Sequence, residues 1–170
     1  MSGTSCSVCG RSLPPNARGS IDATTGLMLG GWWRRVGATL ADSLILVIPT
    51  LLVVSLFSQS NGAFLGALSG LVLQGLYMVR LLSGVRGQTV GNRVAATRVR
   101  DAANGHAITV TQALKRWGFI GVYSAIELTG TSTALYVVSL VALIDNLFPL
   151  FDPRNQTLHD KFAGTIVVVA

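Results

Sequence analysis

Residues 36 to 79 read VGATLADSLILVIPTLLVVSLFSQSNGAFLGALSGLVLQGLYMV, and Asp42 is the one charged residue among them. A membrane span takes about 20 apolar residues. This 44-residue stretch between Arg35 and Arg80 therefore holds two spans and a turn. The first span is predicted over Val36 to Phe57 and the second over Ala63 to Leu82. Ser58 to Gly62 is short and polar, as the turn of a helical hairpin requires. Composition agrees with this reading. The chain is 50% hydrophobic and 12% charged, where a soluble domain carries about 25% charged residues.

No basic residue lies between Arg116 and Arg154. A third helix is predicted from about Thr111 to Leu128, a turn at Thr129 to Thr133, and a fourth helix from Ala134 to Phe148. The alternative is one long span and a total of three. Charge placement decides between them. The thirteen Lys and Arg fall in the N-terminal segment, the central region or the tail, and none falls in the two turns. Basic residues concentrate in cytoplasmic loops. Four spans place them all inside, whereas three would strand Arg154 and Lys161 outside. The predicted fold is an all-α membrane protein: four transmembrane helices with a small cytoplasmic β-hairpin or sheet, joined by the C-terminal strand. Both termini are expected in the cytoplasm. In the central loop, Val94 to Val99 and His106 to Val110 are the candidate strands, with a turn at Asp101 to Gly105. The β-branched run Thr165 to Val169 supplies the third strand that such a hairpin needs.

Residues 1–30 are expected to form a flexible cytoplasmic segment, and residues 31–170 the transmembrane domain. The first 31 residues carry no apolar run, so the first hydrophobic helix should act as its own insertion signal. Cys6 and Cys9 look like the first knuckle of a zinc ribbon. The second pair is missing, so the knuckle is read as degenerate, and zinc is expected only if two chains share it. No other cofactor is expected.

Three ordered segments resemble the RDD family of prokaryotic membrane proteins. In Gly31 to Asp42, the residues Arg35, Ala38 and Asp42 fit its opening pattern. Gly87-Gln-Thr-Val-Gly-Asn-Arg93 is similar to its Gly-x-Thr-x-Gly-x-Arg. Phe151-Asp-Pro-Arg-Asn-Gln-Thr-Leu-His-Asp160 is similar to its Asp-Pro-Arg and His-Asp close. The resemblance covers residues 31 to 170. It implies a bacterial-type cell membrane location, and it implies function poorly, although some members look like monovalent cation/proton antiporters.

Arg35 and Asp42 lie two helical turns apart on one face, about 10 Å along the axis. An intramembrane carboxylate is costly unless paired, protonated or hydrated. Asp145 sits at a similar depth on the fourth helix, and the tail can bring up Asp160, with His159 as a hydrogen-bonding neighbour. Arg35, Asp42, Asp145, His159 and Asp160 thus form the candidate polar cluster, for ion or proton exchange or for structural pairing. Two histidines are too few for a metal-dependent phosphohydrolase, and no nucleophile–base pair is recognisable, so no enzyme is expected. The function read from the residues is ion or small-solute transport. A non-transporting accessory or scaffold protein is the alternative. The bilayer is the expected partner, with a homo-oligomer or a cytoplasmic protein as further candidates. Basic residues flank apolar blocks instead of interleaving with aromatics, which argues against nucleic acid. Gly62, Gly66 and Gly70 form a small-residue stripe suited to close helix packing.

Overall fold

The computed structural model describes residues 21–61, 63–127 and 131–170. The chain is mostly helical, with helices at each of the four predicted places. They are α1 (Trp32–Asn61), α2 (Ala63–Leu82), α4 (Val110–Glu127) and α5 (Ser132–Leu147). A short α3 (Val90–Val94) leads into β1 (Thr97–Asp101), and a short α6 (Leu158–Ala163) leads into β2 (Thr165–Val169). The predicted turn at residues 58–61 is instead the last turn of α1. Cys6 and Cys9 lie outside the described residues.

Two of these helices, α1 and α2, are long and apolar enough to cross a membrane. α5 is apolar over Leu135–Leu150 but shorter, and its 16 helical residues rise about 24 Å against a hydrocarbon core of about 30 Å. α4 carries Lys115 and Arg116 in its second turn. The apolar side chains of α1 point outward. None of its apolar window is buried, and Leu44, Ile48, Leu52 and Leu56 are all exposed. A soluble core helix would hide such residues, and a contiguous apolar surface of this extent suits lipid.

Packing follows side-chain size. α1 packs on α2 and α3, α2 on α4, and α4 on α5 and α6. Gly66 and Gly70 of the small-residue stripe face α1: a Cβ on Gly66 would stand 3.2 Å from Val54, and one on Gly70 would stand 3.2 Å from Thr50, while Gly62 lies outside the described residues. The pair therefore serves packing within the chain. α1 and α5 barely touch along their lengths. They meet at one end, where the Trp32 indole N–H donates to the Asn146 carbonyl at 2.8 Å.

The sheet differs from the predicted hairpin. β1 and β2 pair antiparallel, with Val99 opposite Val167 and Asp101 opposite Thr165. The turn at Asp101 to Gly105 forms, with the Gly105 N–H donating to Asp101 O at 2.9 Å. His106 to Val110 forms no strand. It drops Ile108 into the core beside Leu82, Val99 and Val167 and then caps α4, where the Gln112 N–H donates to Thr109 Oγ1 at 3.2 Å. The other edge of β2 is taken by Met28 to Gly30: the Gly30 N–H donates to Val167 O and the Val169 N–H to Met28 O, both at 2.8 Å. Leu29 is thereby buried with Ile166 and Val168. Residues 21–30 thus pack on the domain that the sequence places from residue 31 onward. Arg154 fixes them further, its Nε donating to Asp22 Oδ1 at 2.7 Å and its Nη2 to Asp22 Oδ2 at 3.0 Å.

Candidate functional site

The tail motif is organised by the start of α6. Thr157 is its N-cap, and its hydroxyl accepts from the Asp160 N–H at 3.1 Å. The Asp160 carboxylate accepts in return from the Thr157 N–H at 3.2 Å, which completes a capping box. Gly164 closes the helix at φ 66°, a left-handed position that suits glycine, and turns the chain into β2. Upstream, Asp152 accepts from the backbone N–H groups of Arg154 and Gln156 and pairs with Lys161. The Gln156 amide donates to Thr165 O at 2.8 Å.

This frame aims Asp160, which is fully buried, back at the helices. Its Oδ2 meets Arg35 Nη1 of α1 at 2.6 Å, and its Oδ1 pairs with Arg116 Nη1 of α4. The Thr165 hydroxyl donates to Oδ1 at 3.1 Å. One residue earlier, His159 faces Asp145 of α5: the backbone N–H donates to Oδ1 at 3.1 Å, and Nδ1 lies 2.6 Å from Oδ2. α6 therefore joins α1, α4 and α5 through four charged side chains, two of each sign. Such charges are tolerated away from water only when paired and hydrogen-bonded.

Of the sequence-predicted cluster, Arg35, Asp145, His159 and Asp160 come together. Asp42 is held separately. Its Oδ1 accepts from the Tyr77 hydroxyl at 2.6 Å and the Gly91 N–H at 2.7 Å, and its Oδ2 from the Thr89 hydroxyl at 2.6 Å. Arg35 and Asp42 do not pair with each other: the tail delivers Asp160 to Arg35, and α2 and the start of α3 deliver neutral donors to Asp42. These contacts give the central motif its meaning. Thr89 both caps α3 and holds Asp42, and Gly91 lies against the backbone of Ala38.

Arg116 was not among the expected cluster residues. The available clue was charge balance: Asp145 and Asp160 together ask for more than Arg35. Its side chain is 10% exposed, and its Nη1 also donates to Thr165 Oγ1 at 3.1 Å.

Both networks border one cavity of about 500 Å³, lined by residues of α1, α2, α4 and α5. Arg35, Asp42, Thr89, Arg116, Asp145 and His159 line its polar end. Toward Thr50 and Leu51, roughly 22 Å along α1 from Arg35 at 1.5 Å per residue, the lining is mostly apolar, with Leu46, Val47, Leu51 and Met78 beside Thr50 and Gln74. Among the described residues, no group of three or more His, Cys, Asp or Glu could hold a metal ion.

Burial, and after it the charge on Arg116, push the His159 imidazole down to about 4, so the ring is neutral at pH 7. A carboxylate only accepts, so Nδ1 carries the hydrogen. The folded-state value lies below the ordinary 6.5, which means the fold prefers the neutral ring. That preference is complete above pH 6.5 and is lost as pH falls toward 4, a change of about 3 kcal/mol. Burial works to raise the Asp22 and Asp152 carboxyls. Hydrogen bonds from Arg154 and Thr25 to the first, and from Lys161 and Gln156 to the second, outweigh it and hold both below 3.8. Their titration therefore belongs to lower pH. Thermal unfolding of the purified protein should show stability falling between pH 6.5 and 4, and His159→Gln should flatten that slope. An unchanged slope in the variant would remove His159 as its source.

The sequence profile described as the RDD family matches residues 29–164. No curated protein and no solved structure matches the chain.

Proposed function

Because the chain belongs to the RDD family, we propose that it is a non-enzymatic, multi-pass protein of the cell membrane that moves an ion or small polar solute through the cavity between α1 and α5, with proton exchange. In this reading α1, α2, α4 and α5 all span, and both termini lie in the cytoplasm. The absence of Lys and Arg from the two helix–helix turns supports that orientation. The short α5 and the charged start of α4 are accommodated because protein, not lipid, surrounds Arg116. The observation that carries the transport reading is the cavity itself, polar at the end bordered by the ion pairs and mostly apolar from Leu46 to Leu51. The gap between α1 and α5 suits closure by a second copy of the chain.

A second reading, an accessory or scaffold membrane protein, draws on one specific observation. Every oxygen of Asp42, Asp145 and Asp160 already accepts a hydrogen bond or ion pair, as purely structural acids would. Proteoliposomes loaded with a pH-sensitive dye separate the two. Transport predicts proton flux when a sodium, potassium or anion gradient is imposed, and loss of most of it in Asp145→Asn protein that still elutes as a folded species. Vesicles silent under every gradient, or a variant as active as the parent, would favour the scaffold.

A further inference from the structure

The ion pairs leave one strong donor group unanswered. A guanidinium carries five N–H donors. Arg35 uses Nη1 on Asp160, while its Nε and Nη2 are buried and have no hydrogen-bond partner among the described residues. The side chain is 10% exposed, and it lines the cavity. Arg116 Nε is unpartnered in the same way. Unmet donors of this kind are costly in a buried setting.

Among the described residues, no acid is placed to answer them. Asp145 turns both oxygens to His159. Asp42 turns both to Tyr77, Thr89 and Gly91. Asp160 is shared between Arg35 Nη1, Arg116 and Thr165. The same saturation leaves no oxygen of these three acids free to hold a bare cation. The Nε–Nη2 edge of an arginine is a planar fork that matches two oxygens of a carboxylate or a phosphate. Single waters could occupy it, but the cavity's 500 Å³ far exceeds the roughly 30 Å³ share of one water and lies in the range of small-ligand pockets. Thr39, Ser43 and Asn92 border the same space near Arg35, and Leu46, Leu51 and Met78 border it further along.

We propose that this cavity is a binding site for an oxyanion, a carboxylate or phosphate group, held by the Nε–Nη2 fork of Arg35 with the remainder of the molecule against the apolar wall of α1 and α2. The proposal rests on the transport reading and names its solute class. A free small anion and a lipid headgroup carry the same chemistry, and the experiment separates them.

The full chain, purified in detergent, is titrated with inorganic phosphate against chloride at matched ionic strength, by calorimetry and by thermal unfolding. Phosphate should bind and raise the melting point where chloride does not. Arg35→Lys keeps a cation for Asp160 but lacks the fork, and should weaken binding at least about tenfold, the worth of one charge-assisted hydrogen bond. Ala142→Leu fills the cavity from α5 without touching the ion pairs, and should weaken binding while leaving the ligand-free melting point in place. Phosphate behaving like chloride, or binding unchanged in both variants, overturns the proposal. In nanodiscs of a phosphate-free glycolipid, added phosphatidylglycerol that competes with phosphate identifies a headgroup as occupant; absence of competition identifies a free solute. Either result supports the oxyanion site. Phosphate binding in a protein whose vesicles pass no ion would sink the transport reading alone. Flux that survives Arg35→Lys in a protein that binds no anion would sink this proposal alone.

Discussion

Asp160→Asn should cost about 3 to 5 kcal/mol of stability, the penalty for leaving a buried charge without its counter-charge. The substitution is nearly isosteric, and an asparagine oxygen can still accept from the Thr157 N–H, so the capping box is only partly lost. What goes is the single negative charge that two guanidinium groups share. The cluster changes from two cations and two anions to an excess of one cation. Against a total stability of about 5 to 15 kcal/mol, that loss should show as poor accumulation in the membrane and a melting point in detergent lower by roughly 10 °C. Adding Arg116→Met to Asp160→Asn restores charge balance, with Arg35 then facing the chain's remaining acids. The double variant should therefore be more stable than Asp160→Asn alone, a non-additivity expected of residues in one network. If the two substitutions simply add, charge balance is not what holds α6 to the helices.

The contrast with Asp42 follows from its partners. Asp42 is held by two hydroxyls and one backbone N–H, all neutral. An asparagine there keeps one acceptor oxygen and strands no cation, so Asp42→Asn should be milder than Asp160→Asn.

The difference between these two acids was only partly visible in the sequence. Helices were legible because their apolar runs are local: α2 begins and ends at the predicted residues Ala63 and Leu82, and α4 and α5 lie within two residues of their expected ends. Arg35 and Asp42 were correctly placed on one helix face and do border one cavity. Their partners were not legible. Arg35 meets Asp160 from 125 residues away and Asp42 meets Gly91 from 49, and no periodicity encodes such a meeting. The strand error has a similar cause. His106 to Val110 has adequate strand character, but the outer edge of β1 that it would have to use is met by Gly87, whose carbonyl accepts from the Val99 N–H at 2.7 Å. Ile108 instead fills the core beside Val99 and Val167, and Met28 to Gly30 supply the strand-like partner on the far edge of β2. Arg116 lies in the second turn of α4. It is the second cation of the cluster, and charge counting across the helices would have pointed to it.

Gly91→Ala should be among the most damaging single changes available, although it adds one methyl group. α3 crosses α1 so closely that a Cβ on Gly91 would fall onto the Ala38 carbonyl oxygen and stand 2.7 Å from the Asp42 carboxyl carbon. The first obstacle is backbone in the middle of a helix and cannot rotate away. The second is a carboxylate that the Gly91 N–H itself helps to hold, at 2.7 Å. Relief requires α3 to withdraw from α1. That movement breaks the Gly91 bond and loosens the Thr89 hydroxyl, which is buried on the same acid. Overpacking costs about 1 to 3 kcal/mol, and a lost hydrogen bond to a charged group adds about 1.5 to 3, so a total of about 3 to 5 kcal/mol is expected. The loss should concentrate where α3, β1 and α1 meet. In hydrogen exchange, the amides of residues 89 to 99 should lose protection well beyond those of α5, which α3 does not hold in place. Gly31→Ala is the matched control, because a Cβ there meets nothing within 4 Å, and it should leave both stability and exchange unchanged. A Gly91→Ala protein with parental stability would mean that α3 can shift on α1 without cost, and the tight seat of the central motif on Ala38 and Asp42 would then not be what fixes the loop.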